Sequence, residues 1–201
     1  PSRRAMTSSV STRETNMGGP CYVMNEEGKL ESGPSCTDNF QVVKFVYEGD
    51  EWHSVEQCFQ AVKYEGPIRE MIRSTLPEGS KSEYMYGIDV WRLGQKYGQE
   101  RRPDWKEVKV EIMYKINHAK YLQNPELQEQ LASTGEGLIW GEASTDNWQI
   151  WNSIIQMQLR KEIVEGKLEQ GPLEGEPLKE ALRGYLQVLY QYDLVDSMEY
   201  V

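Results

Sequence analysis

Residues 52–63 read Trp52-His53-Ser54-Val55-Glu56-Gln57-Cys58-Phe59-Gln60-Ala61-Val62-Lys63. Ser54 followed three positions later by Gln57 is a capping-box pattern, which predicts a helix starting at about Val55. On a 3.6-residue period, Val55, Phe59 and Val62 form one apolar stripe, and Glu56, Gln60 and Lys63 share a second face about 100° away. Such a helix buries the first stripe in a core and presents an acid, an amide and an amine to a cleft. Glu56 and Lys63 stand two turns apart, roughly 10 Å at ~1.5 Å per residue. That is too far for a direct ion pair without bending, but both side chains reach a ligand lying between them. A polar stripe of this kind is ordinarily a solvated face, so the pattern alone does not make it a site.

The flanking sequence sets this helix among others. Residues 1–19 are rich in Ser, Thr and Arg, lack aromatics and end in Gly18-Gly19, and are expected to be disordered. Their scarcity of acid is compatible with a transit peptide, and they hold no apolar stretch of the secretory kind. Short strands are predicted at Cys21 to Met24 and Val42 to Tyr47, the second followed by a Glu48-Gly49-Asp50 turn. The Ser54 helix is expected to end at Gly66-Pro67, with a second helix from Ile68 to Thr75, a loop from Pro77 to Gly87 and a third helix from Asp89 to Tyr97. Asp104, with Glu107 three positions on, predicts the cap of a long helix whose apolar stripe is Trp105, Val108, Ile112, Ile116 and Ala119. Asn124-Pro125 opens another helix that stops at Gly135. Leu138 to Trp140 reads as a short strand, and Trp151 to Glu165 as a helix with Ile154, Ile155 and Leu159 inward. A Gly/Pro/Glu linker over 166–177 leads to a last helix carrying Leu178, Leu182, Tyr185, Leu186 and Leu189, which packs on the domain or meets a partner. The fold class is therefore mainly α (α+β), a single compact domain over about 20–165 with a few short strands, followed by a linker and helical extension over 166–201.

Composition narrows the chemistry. With 38% hydrophobic and 27% charged residues over 201 positions the chain has the makings of a full core, and no run of 18 apolar residues exists to span a membrane. Cys21, Cys36, Cys58, His53 and His118 fit no ligand spacing for zinc or iron, so neither a metal nor another cofactor is expected. The sparse, odd cysteine count suggests free thiols in a reducing compartment, cytoplasmic or nuclear. Cys58 reads as packing rather than as a nucleophile, and His53 as a turn residue rather than a base. A net charge of −10 argues against broad, sequence-blind nucleic-acid binding. The charge is uneven, however: residues 92–120 hold eight Lys/Arg against four Asp/Glu, and 161–201 hold four against nine. A basic stretch within an acidic chain is suited to a pyrophosphate or a short strand, or is simply a helix with paired charges on a solvated face.

The order aromatic-x-Ser-x-Glu-Gln-x-Phe-Gln-Ala-x-Lys from Trp52 to Lys63 resembles the signature of the NADAR superfamily, which includes the YbiA-like N-glycosidases. Further elements follow in family order. Asn39-Phe40 resembles its Ser-Asn-Phe element, Leu93-Gly94 its Leu/Met-Gly, and Arg102-Pro103-Asp104-Trp105 its Arg-x-Asp-Trp. Val110 to Met113, Ala119-Lys120-Tyr121, Asn124 to Leu127, Leu131, Thr134-Gly135 and Glu142 are similar to later ones, and Met157 to Arg160 to its closing Met-Glu-Leu-Arg. The likeness runs over about residues 37–164. Asp146 and Trp148 resemble an Asp-x-x-Trp-Gly element, but Trp148 follows Asp146 by two residues and no Gly comes after it. Either Trp148 or Trp151 takes the family tryptophan's place.

The resemblance implies an N-glycosidase that removes ADP-ribose from guanine bases. Ribose held through an exocyclic amine keeps an N–H, so its ring opens to an imine that a primary amine captures. Among side chains only Lys supplies such an amine, and it must be partly unprotonated. Burial beneath aromatics lowers the pKa of Lys63, whereas the Glu56 charge raises it. The assignment implied is Lys63 as nucleophile, Glu56 as the acid/base and Asp146 holding ribose hydroxyls or orienting water. Asn39, Phe40, Trp52, Gln60, Arg102, Trp148 and Trp151 are the expected substrate-binding residues, with aromatic stacking from Phe40 and a tryptophan and phosphate binding from Arg102. Arg102 equally suits an ion pair with Asp104 or Glu107. The expected partner is an ADP-ribose-containing substrate, ADP-ribosylated nucleic acid included, which would connect the chain with DNA repair; no membrane is expected, and the chain is expected to act as a monomer. Two alternatives stay open: hydrolysis of the pyrimidine intermediate of riboflavin synthesis, and a non-catalytic ADP-ribose or NAD reader. A reader has no need of an acid–amine pair.

Overall fold

The computed structural model describes residues 18–201, so most of the segment expected to be disordered lies outside the described residues. Five short strands and seven α-helices follow in order: β1 (Tyr22–Met24), β2 (Leu30–Ser32), β3 (Phe45–Tyr47), β4 (Asp50–Trp52), α1 (Val55–Ala61), α2 (Gly66–Arg73), α3 (Glu83–Lys96), α4 (Trp105–Gln123), α5 (Pro125–Ala132), β5 (Ile139–Trp140), α6 (Trp148–Val164) and α7 (Gly175–Gln191). The mainly helical, single compact domain expected from the capped periodic segments is what the chain forms. β1 lies between β2 and β5, antiparallel to both, while β3 and β4 form a separate hairpin. Its two-residue loop places Glu48 at φ 53° and Gly49 at φ 82°, the doubly positive pattern that matches the strand twist. Phe45 faces Trp52 across the hairpin, and both are buried.

The short helix α1 is buried on every side and packs against α2, α3 and α4. A seven-residue helix is not stable by itself, so tertiary partners hold it. Ser54 Oγ accepts from the Gln57 backbone N–H at 3.0 Å, the cap expected from sequence. The Gln57 side chain has two further duties. Its Oε1 accepts from the His53 N–H at 2.8 Å, and its Nε2 donates to the carbonyls of Arg73, the last residue of α2, and of Thr75 just beyond it, at 2.9 and 2.8 Å. One glutamine thus joins the start of α1 to the end of α2 and satisfies groups that a helix terminus leaves open.

Several boundaries differ from expectation. α1 ends at Ala61 with Val62 as its C-cap, so Lys63 sits in the turn beyond the helix. Gly66-Pro67 does not stop that helix but opens α2, with Pro in the first turn where its missing N–H costs nothing. α3 starts six residues early because Ser82 caps it, accepting from Met85 N–H at 3.2 Å; Gly87 within it concealed the pattern. Asp104 is the N-cap residue of α4, yet its carboxylate makes no cap bond because Arg102 holds it. α6 begins at Trp148, three residues before the expected start.

From Met113 onward α4 is buried around most of its circumference, polar residues included. Lys120 Nζ donates to the Cys36 carbonyl at 2.6 Å and is fully buried. Asn117 joins an amide chain: its Nδ2 donates to Asn39 Oδ1, and its Oδ1 accepts from Gln156, whose own Oε1 accepts from Tyr121. Buried polar groups that share partners in this way fix one arrangement of α4, α6 and the 36–40 loop. The last helix, α7, packs on α6 through Leu178, Leu182, Leu186 and Leu189, all buried, so the helix lies on the domain. Each such leucine contributes about 2 kcal/mol of gross burial.

Candidate active site

A cleft of about 200 Å³ opens between the 38–40 loop, α1, α3, α4 and the start of α6. A cavity of about 150 Å³ admits a benzene ring, so the enclosed part of this cleft suits one ring-sized unit of a larger ligand.

Its floor is the polar face of α1. Lys63 Nζ donates to Gln60 Oε1 at 2.6 Å, and Gln60 Nε2 donates to Glu56 Oε1 at 2.7 Å. Glu56 and Lys63 retain only 6% and 4% of their accessibility. Among the described residues no ion pair joins them directly; the Gln60 carboxamide occupies the space between. Gly94 makes this possible, because a Cβ there would lie 2.0 Å from Gln60 Oε1. Phe59 and Trp105 flank the amine, with ring centres 5.0 and 5.4 Å from Nζ. Burial pulls the Lys63 pKa down to about 8 against the pull of the Glu56 charge, and Arg101 and Lys109 push it the same way as burial. Burial likewise raises Glu56 above the usual carboxylate range, opposed by Lys63 and by the Gln60 hydrogen bond. An acid and an amine, each shifted toward neutral pH, line one cleft.

The aromatic wall continues from Phe59 to Trp148, edge-on at 4.9 Å, and from there to Trp151, again edge-on at 4.9 Å. Trp148 lines the cleft, whereas Trp151 stands behind it, buried, its indole N–H donated to the Tyr200 carbonyl at 2.9 Å. Phe40 closes another side against α3, where Gly87 leaves room for the ring; a Cβ there would lie 2.2 Å from Phe40. Asn39 also lines the cleft, its Nδ2 3.3 Å from Asn152 Oδ1, and its backbone carbonyl accepts from Glu56 N–H at 2.9 Å. Asp146 lies at the mouth with its side chain 68% exposed, 3.6 Å from Lys109, in the left-handed region at φ 51°. Asp tolerates that conformation better than most residues.

Of the ten residues singled out from sequence, seven come together here: Glu56, Lys63, Asp146, Asn39, Phe40, Gln60 and Trp148. Trp52, Arg102 and Trp151 lie outside the lining. Trp52 is fully buried at the end of β4 in the hairpin and donates its indole N–H to the Tyr47 carbonyl, which makes it a core residue. Arg102 grips Asp104 at 2.6 and 2.8 Å, the ion pair that its sequence neighbourhood also allowed. Its neighbour Arg101 faces the cleft instead. Arg102 N–H donates to the Lys63 carbonyl at 2.8 Å, and Arg101 is extended at φ −65°, ψ 142°. In such an extended, polyproline-like backbone successive side chains point in different directions, and here one arginine turns inward and the next outward. Arg101, Lys106, Lys109, Trp105, Trp91 and Asp38 are lining residues that sequence reading missed as site residues. For the basic ones a signal existed, the local excess of Lys and Arg over residues 92–120.

Among the described residues no group of three His, Cys, Asp or Glu side chains is placed to hold a metal ion, and no helix is long and apolar enough to cross a membrane.

The NADAR domain family matches residues 26–167. The riboflavin biosynthesis protein VVA0006 of Vibrio vulnificus is 28% identical over 136 residues, which cover 63% of this chain and 35% of that protein. The chain thus spans about a third of that relative's length. N-glycosidase Npun_R5314 of Nostoc punctiforme is 26% identical over 56% of this chain and 69% of its own length. N-glycosidase YbiA of Shigella flexneri is 26% identical over 62% and 79%. The NMR structure of the E. coli protein YbiA shares the fold, with a TM-score of 0.55 over 71% of this chain and 83% of that one at 24% identity. With a match that extends over well more than half of its residues, the chain belongs to the NADAR domain family.

Proposed function

We propose that the chain is an N-glycosidase that hydrolyses the bond between ADP-ribose and the exocyclic amine of guanine through a Schiff base on Lys63. The observation that carries this reading is the buried amine of Lys63, lowered to about 8 and linked through Gln60 to the buried acid Glu56 in one cleft. The N-glycosidase names of two relatives support the reaction class.

The exocyclic nitrogen expels the ring oxygen from C1 of the ribose, giving a C1–nitrogen imine, and the freed oxygen takes a proton. The Lys63 amine adds to C1; the guanine amine takes a proton and departs, leaving the sugar as an iminium on Lys63. Water adds to C1, the Lys63 nitrogen leaves with a proton, and the sugar recloses. The sum is substrate plus water to ADP-ribose plus guanine. Glu56 moves protons among amine, leaving nitrogen and ribose oxygen, a role suited to a carboxyl whose burial favours its neutral form. The Lys63–Gln60 hydrogen bond uses an N–H and leaves the nitrogen lone pair for the sugar. Asp146, at the mouth, holds hydroxyls or water, and Trp148 and Phe40 stack against a base.

The direct test is incubation with DNA carrying ADP-ribosylated guanine, with release of free ADP-ribose read by mass. Release supports the reading. A second substrate follows from the relative named for riboflavin biosynthesis: turnover of the ribosylated pyrimidine intermediate of that route in place of the guanine adduct would move the function there. Binding of ADP-ribose without turnover of either would leave a reader.

A further inference from the structure

The charged groups around the cleft are not mixed evenly. Lys63 feels Arg101 and Lys109, while Glu56 feels Asp38. The cleft is cationic at the Lys63 end and acidic at the Glu56 end. At the cationic end Lys109 is matched to Asp146 at 3.6 Å, but two cations have no acidic partner. Among the described residues, Arg101 and Lys106 take part in no ion pair, in a chain of net charge −10 where acids are abundant. Arg101 Nε is buried from solvent with no hydrogen-bond partner, and the Arg101 charge lies near the Tyr64 hydroxyl. Lys106 stands exposed at the rim, in the first turn of the 19-residue helix α4. The positive end of that helix is therefore on the same wall.

We propose that Arg101 and Lys106 form an anion subsite that holds a phosphate on the substrate's ribose while C1 of that ribose faces Lys63. This rests on the glycosidase reading above and extends it to the part of the substrate that does not react. A planar guanidinium that lines the cleft with no carboxylate holding it suits phosphate oxygens better than a mobile lysine does; Lys106 adds a point charge at the open side. The enclosed volume takes one ring, so the phosphate lies between the buried ribose and the solvent, where Lys106 can meet it. The same subsite serves a monophosphorylated ribose and the diphosphate of ADP-ribose.

The test is calorimetric titration of the full chain with ribose 5-phosphate, ribose and ADP-ribose, none of which needs turnover. Ribose 5-phosphate is expected to bind at least tenfold more tightly than ribose. Arg101→Gln should weaken ribose 5-phosphate and ADP-ribose about 10- to 100-fold without affecting ribose, Arg101→Lys should recover part of that loss, and Lys106→Gln should cost about 3- to 10-fold. Arg102→Gln, whose side chain lies outside the cleft, should bind both phosphates as the parent does. ADP-ribose binding more tightly than ribose 5-phosphate, with a larger loss in Lys106→Gln, marks a diphosphate ligand; equal affinities mark a monophosphate; both support the subsite. Unchanged phosphate affinity in Arg101→Gln and Lys106→Gln together would overturn it. If Arg101→Gln unfolds, Lys106→Gln at the exposed rim carries the test alone. Phosphate discrimination without any glycosidase turnover would sink the reaction and leave the subsite standing.

Discussion

Glu56 and Lys63 are joined by a single carboxamide rather than to each other: Gln60 accepts from the amine at 2.6 Å and donates to the acid at 2.7 Å. A direct pair would hold a proton on Lys63 and remove the free amine that the proposed route needs. The bridge keeps the two groups in communication and apart. Gln60→Leu is expected to let them collapse together, raising the Lys63 pKa and lowering kcat/KM roughly 10- to 100-fold at pH 7, with part of the loss recovered at pH 9. An equal loss at both pH values would show that Gln60 serves substrate contact instead.

Lys63 itself should set the rising, acid-side limb of the profile. Its folded pKa of about 8 lies below the ordinary 10.5, so the charged form dominates below pH 8 and the free amine above it. kcat/KM should therefore rise about tenfold per pH unit below that value and level off beyond it. Borohydride added during turnover should trap protein plus ADP-ribose, and Lys63→Arg should lose both trapping and turnover. Near-normal turnover in Lys63→Arg would exclude the covalent route. Glu56→Gln should slow turnover by roughly 10²–10⁴-fold.

Gly94 offers a test of the same bridge from another helix. A methyl group there meets Gln60 Oε1 at 2.0 Å and Gln60 Cβ at 3.0 Å, so the amide must swing away and release both partners. Gly94→Ala should cut kcat at least tenfold while leaving the helical content unchanged. Full activity in that variant would mean that Gln60 relaxes without consequence.

How much of this was legible in the sequence depends on range. The Ser54 cap, the α1 stripe and the β3–β4 turn are written in neighbouring residues, and the structure has them. The end of α1 was misread because Gly66-Pro67 signals a helix boundary without saying on which side the helix lies. Trp52 was misplaced because an aromatic residue beside a polar face has the same local pattern whether its ring turns toward the cleft or, as here, toward the hairpin core. Arg101 and Arg102 are adjacent and chemically alike; only the long-range bond from Arg102 N–H to the Lys63 carbonyl decides which one faces the cleft. The amide chain Asn39–Asn117–Gln156 is made of bonds between residues 78 and 39 sequence positions apart, beyond what periodicity reads.

Asp146 combines charge with a left-handed backbone, and two substitutions separate them. Asn tolerates φ 51° and removes the charge, whereas Ala is strained there as well. Asp146→Asn should lower kcat/KM with unchanged thermal stability. Asp146→Ala should lose a similar amount of activity and also melt lower, by about 1 kcal/mol. Equal melting temperatures would place no strain at this residue.

A second buried acid gives a prediction about stability alone. Tyr114 hydroxyl donates to Glu162 Oε1 at 2.7 Å and accepts from Leu173 N–H at 3.0 Å, tying α4 and α6 to the segment that leads into α7. Gln158 Nε2 also donates to Glu162 Oε1, at 2.6 Å, but Glu162 Oε2 is buried with no partner. Burial raises the Glu162 pKa, so the folded state holds a proton that the unfolded chain releases near 4.5. The sign follows: stability from this group is greatest below pH 4.5 and is lost as pH rises through the folded value. Glu162→Gln keeps the acceptor toward Tyr114 and removes the buried charge at every pH. It should therefore melt higher than the parent at pH 7, by about 2–4 °C for ~1 kcal/mol in a chain of this size, with the difference vanishing toward pH 4. Tyr114→Phe should melt lower at both pH values, since it strips the hydroxyl from Leu173 as well as from Glu162. A Glu162→Gln variant less stable than the parent at pH 7 would mean that the carboxylate is held charged, by groups other than Tyr114 and Gln158.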